Sequence, residues 1–452
     1  MFELPPQVRY ALEKLNSAGF DAYLVGGGVR DALMGFEPKD YDITTSALPS
    51  QTAQVFASER LIETGIKHGT VTVLIDKTPL EITTFRIDGR YTDFRHPDSV
   101  MFSLELSDDL SRRDFTVNSL AYHPAEGVID FFDGREDITR QIIRCVGSPE
   151  QRFQEDALRI LRAIRFSSVL GFIIEDKTAA AIHAQRALLR HVSAERIFSE
   201  FVKLLCGKNV RAVLEDYIDV IGEFVPEAFK MHGCAQNCIY HRYDVLRHTA
   251  VAVESVPADP VLRLAAFFHD IGKPETKTTE KNGTDHFYGH AAISTKIAEQ
   301  TLISLRADNK TVKDVTLLVQ RHDVPIEETE KSVKRALGKL SEDGFFRMLQ
   351  LKRADTAAQA SFCHERFSYY DRLEDLARNI LAQGDCLSLQ QLAVNGSDLI
   401  HAGIPEGKEI GELLRILLDA VLDGKLPNEK TALLTFAAQV RQKKPTAEAA
   451  DG

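Results

Sequence analysis

The alternation of apolar and polar positions changes character along the chain. FDAYLV, at residues 20–25, is a β-like run that enters a glycine-rich turn. VTVLI at 71–75 and LEITTF at 80–85 read as two more strands, joined by a turn around residues 76–79. Short helical stretches lie between these runs, so residues 1–145 predict an α/β unit with a mixed sheet. From about residue 150 the period shifts. Stretches rich in Ala, Leu, Arg and Glu carry helical spacing, and strand signals almost vanish. Weak boundaries fall near Gly207-Lys208-Asn209, Met231-His232-Gly233 and Gln383-Gly384-Asp385. Residues 443–452 read as a disordered tail.

A length of 452 residues predicts two to four domains. With 44% hydrophobic and 27% charged residues, the composition is that of a soluble globular protein. No apolar run approaches the roughly 18 residues a membrane span needs, and no signal-peptide pattern opens the chain. Six scattered cysteines suit a reducing compartment, so a cytoplasmic location is expected and no membrane partner. The net charge of −11 argues against a broad, non-specific nucleic-acid binder, and DNA is not expected as a partner. A local basic groove stays compatible with it.

The first chemistry-bearing pattern is Gly26-Gly27-Gly28-Val29-Arg30-Asp31, followed by Asp40-Tyr41-Asp42. Glycines let the backbone approach an anion with successive N–H groups facing it. If the segment from Asp40 to Asp42 is extended, both carboxylates leave one face, as a pair of Mg²⁺ ions needs. An isolated Asp-x-Asp is more often a solvated turn; the adjoining glycine turn tips the reading towards phosphoryl or nucleotidyl transfer. Arg30 can reach a phosphate oxygen, and Glu81, on a neighbouring strand, is a third carboxylate in question. Arg112, Arg113 and Asp114 suit a triphosphate and a ribose, although the same segment reads equally as a helix start with surface charges.

EDALRILRAIRF, at 155–166, predicts one amphipathic helix with Asp156, Arg159, Arg162 and Arg165 at successive i, i+3 steps. Surface ion pairs are the plain alternative. The functional reading rests on hydrogen-bond chemistry. An ionised aspartate only accepts and an arginine only donates. Cytosine and adenine both show an amino donor beside a ring-nitrogen acceptor, whereas uracil and guanine show the reverse. An Asp–Arg pair can therefore select C and A and leave U and G with unpaired polar groups.

These segments together resemble the bacterial class II tRNA nucleotidyltransferases, the family of CCA-adding enzymes and poly(A) polymerases. The matching pieces are GGGVRDALMG, KDYDITTSALP, TGIKHGTVTV, EITTFRIDGRYTDFRHPDSVMF, RRDFTVNSLAY, IDFFDGREDI, EDALRILRAIRF and SAERI, in family order. The resemblance implies a palm-like α/β head and an all-α neck or body. It implies Mg²⁺ on Asp40 and Asp42 and an incoming nucleotide held by Gly27, Arg30 and Arg113. Asp156 and Arg159 become the protein template for the base, with Arg162 and Arg165 in the same pocket. Gly28 and Ser119 stand where the family usually has alanine. The reaction implied is attack of a tRNA 3′-hydroxyl on the α-phosphorus of CTP or ATP. The loop at 86–97 is of full length, which favours complete CCA addition or A-addition over CC-addition, and the acidic chain lacks the basic arms of poly(A) polymerases.

A second pattern lies downstream: His248, then His269-Asp270-Ile271-Gly272-Lys273, His290, His322 and Asp355. Imidazoles with carboxylates suit Mn²⁺, Ni²⁺, Fe²⁺ or Mg²⁺. The pattern resembles the HD phosphohydrolases, which implies His248, His269, Asp270 and Asp355 as core ligands and His290 and His322 as the completion of a two-metal site. It also implies hydrolysis of a phosphoester in an RNA 3′ end or a nucleotide. A degenerate, structural HD domain is the alternative. His232, Cys234, Cys238 and His241 do not follow a familiar zinc spacing. The region from Leu392 to Asn428 resembles the family's tRNA-binding tail.

Four domains are expected: a nucleotidyltransferase head at 1–145, a helical neck and body at 146–230, an all-α HD domain at 231–370 and a helical tail at 371–452. The function expected is tRNA CCA addition from CTP and ATP, with phosphohydrolase activity beside it. An A-adding or CC-adding enzyme or a related poly(A) polymerase is the near alternative. A phosphohydrolase whose other half merely binds tRNA is the alternative of another class.

Overall fold

Nine short strands, followed by a ribbon of Ile142–Ile143 with Ile173–Ile174, carry the N-terminal part of the computed structural model, which describes residues 3–443 apart from 39, 63–64, 67–68, 90, 92–93 and 96–97. The nine are β1 (Ala22–Val25), β2 (Asp42–Thr45), β3 (Arg60–Ile62), β4 (Thr70–Ile75), β5 (Thr78–Thr84), β6 (Arg86–Asp88), β7 (Val100–Phe102), β8 (Leu120–His123) and β9 (Gly127–Asp130). Seven form a mixed sheet in the order β3-β4-β5-β2-β1-β8-β9, and β6 and β7 make a separate ribbon. Only the β2–β5 pairing is parallel in the large sheet; it puts Glu81 opposite Asp42.

The sheet follows from its pattern. Along β4, Val71, Val73 and Ile75 are buried while the residues between them are half-buried. The turn into β5 holds Asp76 and Lys77 at φ 49° and 69°, the left-handed geometry of a two-residue hairpin. The inward residues pack with Val8, Leu12 and Leu15 of the helix Pro6–Ser17, with Phe56 and with Val29 in one core.

The chain forms two compact units. The first, residues 1–232 with 257–263 and 301–308, continues past the sheet into helices. The predicted single helix over 155–166 is two helices, Pro149–Glu155 and Leu158–Leu170. The break is at Asp156, whose backbone is extended at φ −134° and ψ 104° and whose Oδ1 accepts the Leu158 N–H. An aspartate that bonds the backbone two residues on competes with helical continuation, and this one starts the next helix. Asp156 is therefore off the ridge that Arg159, Arg162 and Arg165 share. Leu158–Leu170 ends at Gly171, φ 70°, and packs on the helix Ala194–Leu205.

The second unit, residues 233–256, 264–300 and 309–452, is helical save for a two-residue ribbon, Thr278–Thr279 with Asp285–His286. Its helices Val245–Ser255 and Glu342–Ala358 pack side by side. Its C-terminal helices Gly396–His401, Lys408–Leu422 and Lys430–Lys443 enclose a small core of Leu399, Leu413, Leu417 and Leu433. Residues 444–452, most of the expected tail, lie outside the described residues, as does much of the loop at 86–97. No described helix is long and apolar enough to cross a membrane. All six cysteines are free thiols.

Candidate active site and candidate metal centre

Sheet register builds the first site. β1 runs into Gly26, whose φ of 77° is open to glycine and strained for any other residue. A Cβ there would lie 3.1 Å from Arg113 Nη1 and 3.9 Å from Asp42 Oδ2, so Gly26 is what lets that arginine close over the acid. The turn feeds the helix Gly27–Leu33, and a Cβ at Gly28 would stand 3.0 Å from the Asp40 carbonyl oxygen. Asp40 precedes β2, and Asp42 begins it, opposite Val25 on one side and Glu81 on the other.

Three carboxylates thus share the end of two strands. Asp42 is open to solvent, yet protein on most sides desolvates it and raises its pKa; Arg113 opposes that rise and Asp40 adds to it. Burial raises Glu81 as well, with Asp42 and then Asp40 contributing. Acids that raise one another's pKa on neighbouring strands make a site that gains from a cation. Mg²⁺ is usually held by one or two carboxylates with water and substrate phosphates, so the donor set fits.

Arginines line the side opposite. Asp109 is fully buried, accepts from Arg112 Nη2 at 2.6 Å and Arg113 Nη2 at 3.2 Å, and is kept below its ordinary pKa because the two guanidinium groups outweigh its burial. Arg30, also buried, donates to Asn118 and to Asp31 Oδ1. Arg162 grips Asp114 Oδ2 through Nε at 2.9 Å and Nη2 at 2.6 Å; this outweighs burial and holds Asp114 well below the usual carboxylate range. Arg165 bonds Glu200 at 2.8 Å. The Phe166 ring lies among three guanidinium groups, those of Arg165 at 3.6 Å, Arg30 at 5.2 Å and Arg162 at 5.3 Å.

Asp156 and Arg159 do not bond each other through their side chains. Asp156 Oδ2 accepts from Arg196 at 2.8 Å. Arg159 donates through Nη1 to Glu155 at 2.6 Å and through Nη2 to the Arg112 carbonyl at 2.9 Å. Each keeps capacity for a ligand, since every carboxylate oxygen accepts more than once and a guanidinium has five N–H groups. Sequence reasoning did not single out Asp109, Asn118, Phe166 or Glu200. Asn118 and Glu200 pair over long range, with Arg30 and Arg165, which no local spacing displays; Asp109 does stand at i, i+3 and i, i+4 from Arg112 and Arg113, a local signal that could have found it.

The second site lies wholly in the second unit. Among the described residues, only two groups of three or more ligand atoms lie within 4.8 Å of one another: His248, His269, Asp270 and Asp355, and Asp270, His290 and His322. Asp270 joins them, Oδ2 standing 3.3 Å from His248 Nε2 and from His269 Nε2, and Oδ1 3.3 Å from His290 Nε2. His248 Nε2 is 3.0 Å from Asp355 Oδ1.

Three of the rings are oriented from behind. Nδ1 of His269 donates to Ala266 O at 2.7 Å, that of His290 to Phe287 O at 2.9 Å and that of His322 to Val319 O at 2.7 Å. Those bonds turn the Nε2 lone pairs inward, the tautomer a metal ligand needs. The Nε2 atoms of His290 and His322 then face each other at 3.2 Å, and those of His248 and His269 at 3.4 Å. For His290 and His322, whose Nδ1 atoms are both committed to carbonyls, facing lone pairs at that distance repel unless a cation stands near, so the donor set would suit divalent cations, with Asp270 common to both groups. Lys273 Nζ sits 2.6 Å from Asp270 Oδ2 and donates to Gln236 Oε1 at 2.7 Å. Burial, helped by Lys273 and His248, pushes the His241 pKa down to about 3. Cys238 Sγ meets His241 Nδ1 at 3.1 Å, and neither is in a ligand group among the described residues.

The chain is similar to known proteins. The family described as "Poly A polymerase head domain" matches residues 22–144, "Probable RNA and SrmB- binding site of polymerase A" matches 171–220, and "tRNA nucleotidyltransferase domain 2" matches 278–437. A CCA-adding enzyme of Lacticaseibacillus paracasei is 35% identical over 432 residues, 95% of each chain. Among solved structures, the Bacillus stearothermophilus CCA-adding enzyme in complex with CTP superposes with a TM-score of 0.72 at 28% identity, covering 97% of this chain and 98% of that one. The Thermotoga maritima CCA-adding enzyme complexed with tRNA shares the fold, with a TM-score of 0.58 at 20% identity over 97% of this chain and 96% of its own.

Proposed function

This chain belongs to the bacterial class II CCA-adding enzymes, a family of tRNA nucleotidyltransferases, and we propose that it builds the CCA end of tRNA from CTP and ATP through the acids and arginines of its first unit. The RNA 3′-hydroxyl loses its proton and attacks the α-phosphorus of the nucleotide; the bond to the β-phosphate oxygen breaks and pyrophosphate leaves. Asp40 and Asp42 would hold Mg²⁺, which would favour the ionised hydroxyl and offset charge on the leaving pyrophosphate. Arg113, closed over Asp42 by the geometry of Gly26, faces the triphosphate. Gly27 and Arg30 bring backbone and charge to the same ligand.

Base choice falls to the break between the two helices. Asp156 accepts the amino hydrogen of cytosine or adenine, and Arg159 donates to the neighbouring ring nitrogen. Arg162 and Arg165, fixed by Asp114 and Glu200, hold the wall of that pocket through Phe166. The observation that carries the reading is the shared end of β2 and β5, where Asp42 and Glu81 stand opposite each other and Arg113 lies near Asp42. Asp40→Ala or Asp42→Ala is expected to abolish nucleotide incorporation into tRNA lacking its 3′ end. Incorporation that survives either change contradicts the assignment.

The second unit is assigned a separate task. His248, His269, Asp270 and Asp355, with His290 and His322, would hold a divalent pair (Mn²⁺, Ni²⁺, Fe²⁺ or Mg²⁺) that supplies a water ionised near neutral pH for attack on a phosphoester of an RNA 3′ end or a nucleotide. What supports this is the inward orientation of three rings by backbone carbonyls. The four-part division at 1–145, 146–230, 231–370 and 371–452 remains our assignment of domains, with the tail as the tRNA-binding part and the cytoplasm as the location. The separate core of the C-terminal helices supports a distinct tail, but it begins at Cys386, beyond the helix Arg366–Ala382 within which residue 371 lies.

A further inference from the structure

The His–Asp centre of the second unit opens to solvent on one side. Of its six side chains, His248, His269, Asp270 and His322 are buried, whereas His290 keeps 15% and Asp355 26% of its side-chain surface exposed. The Asp355 edge of that opening is built by the chain that follows the helix Glu342–Ala358. Gln359 is buried there and donates through Nε2 to both Asp355 oxygens, at 3.4 and 3.3 Å. Its Oε1 accepts from Arg366 Nη1 at 3.2 Å. The reverse orientation of that amide would set oxygen against carboxylate and N–H against guanidinium, so the two ends fix it. The exposed Arg366 guanidinium therefore stands one amide away from an acid of the centre.

The charge of Arg366 is unused. The helix Arg366–Ala382 carries three arginines. Arg372 pairs with Glu328 at 2.8 Å and Arg378 with Glu374 at 2.7 Å. Arg366 has no ion pair among the described residues, and its bond to the neutral Gln359 leaves its other N–H groups without a protein acceptor there. A guanidinium tethered at one N–H and open at the rest suits a phosphate. An unpaired surface arginine is ordinary by itself; the tether to Asp355 is what sets this one apart. Gln359 stands between, so the group that meets Arg366 is a second phosphate on the ligand and not the one that reacts.

We propose that the hydrolytic site takes a nucleotide with two phosphates on one ribose, the scissile ester on the 3′ oxygen at the His–Asp centre and the second phosphate, on the 5′ oxygen, held by Arg366. This rests on the phosphohydrolase reading of the second unit. Water adds to the 3′ phosphorus, the P–O3′ bond breaks, the ribose oxygen takes a proton and inorganic phosphate leaves; the 5′ phosphate is unchanged. That phosphate has two sources, a free nucleoside 3′,5′-bisphosphate or the internucleotide link of an RNA that ends in a 3′-phosphate.

Hydrolysis by the full-length chain in Mn²⁺ is compared for 3′-AMP, adenosine 3′,5′-bisphosphate and the dinucleotide CpAp. KM is expected about tenfold lower for the two compounds with a 5′ phosphate, with kcat alike. Arg366→Ala is expected to erase that difference and Arg366→Lys to keep part of it. A second readout needs no turnover. A bisphosphate analogue with methylene in place of the 3′ oxygen is expected to slow phenylglyoxal modification of Arg366, mapped by peptide mass spectrometry, about tenfold. The same analogue without its 5′ phosphate is expected to have no effect. A lower KM for CpAp than for the bisphosphate assigns the site to RNA ends, and the reverse assigns it to free nucleotides. Equal KM for all three compounds, or Arg366 modified at one rate with either analogue, would overturn the proposal. Turnover of none of the three while Arg366 is still protected would overturn the phosphohydrolase reading instead.

Discussion

At the scale of single residues, the acid cluster at the head of β2 is a liability that only a cation relieves. Folded, Asp42 titrates above its ordinary value, because of burial first and the neighbouring Asp40 as well. The native chain therefore holds that proton more tightly than the unfolded chain. Its stabilising share is complete below the unfolded pKa and is lost as pH rises through the folded one. In metal-free buffer at pH 7, Asp42→Asn is expected to raise Tm, and the gain is expected to vanish below about pH 4, where the wild-type carboxyl is protonated too. Thermal unfolding against pH checks both points, and an unchanged or lowered Tm at neutral pH would contradict them. Asp40 and Asp42 were legible because their spacing and the glycine turn are local. The place of Glu81 was only suggested, since it depends on a parallel pairing between strands distant in sequence.

Among elements, the turn after β1 and the break before Leu158 decide how the site is assembled. Gly26→Ala would place a methyl group against Arg113 at a backbone geometry strained for alanine. It is expected to lower stability by about 1–3 kcal/mol, read by denaturant unfolding, and to impair nucleotide incorporation with it. At the break, Arg196 holds Asp156 by one oxygen. Arg196→Ala is expected to leave the circular dichroism spectrum unchanged and to narrow the preference for CTP over UTP by about tenfold in single-nucleotide incorporation. An unchanged preference would show that Asp156 is oriented without Arg196. Helical periodicity gave Arg159, Arg162 and Arg165 their common ridge. It could not show the break, because the side-chain bond to Leu158 and the grip of Arg196 are choices of tertiary structure that an i, i+3 pattern does not register.

For the whole molecule, an acidic chain concentrates its arginines where a triphosphate would lie and keeps its histidine cluster in the other unit. The nucleotidyl transfer and the hydrolysis proposed for these two sites are then separable by substitution. Asp270→Asn removes the bridge between the two ligand groups and is expected to abolish phosphoester hydrolysis while nucleotidyl transfer persists; parallel assays on one preparation check it. Family order made the overall architecture legible, from the mixed-sheet head to the helical remainder. The most direct test of the central claim offers the purified protein three acceptors: tRNA lacking its 3′ end, tRNA ending in C and tRNA ending in CC, with CTP and ATP given singly and together. Two cytidines from CTP, an adenosine from ATP on the CC-ended acceptor, and a complete CCA end with both nucleotides are the predicted result. Extension of the CC-ended acceptor alone, and only by A, would contradict it.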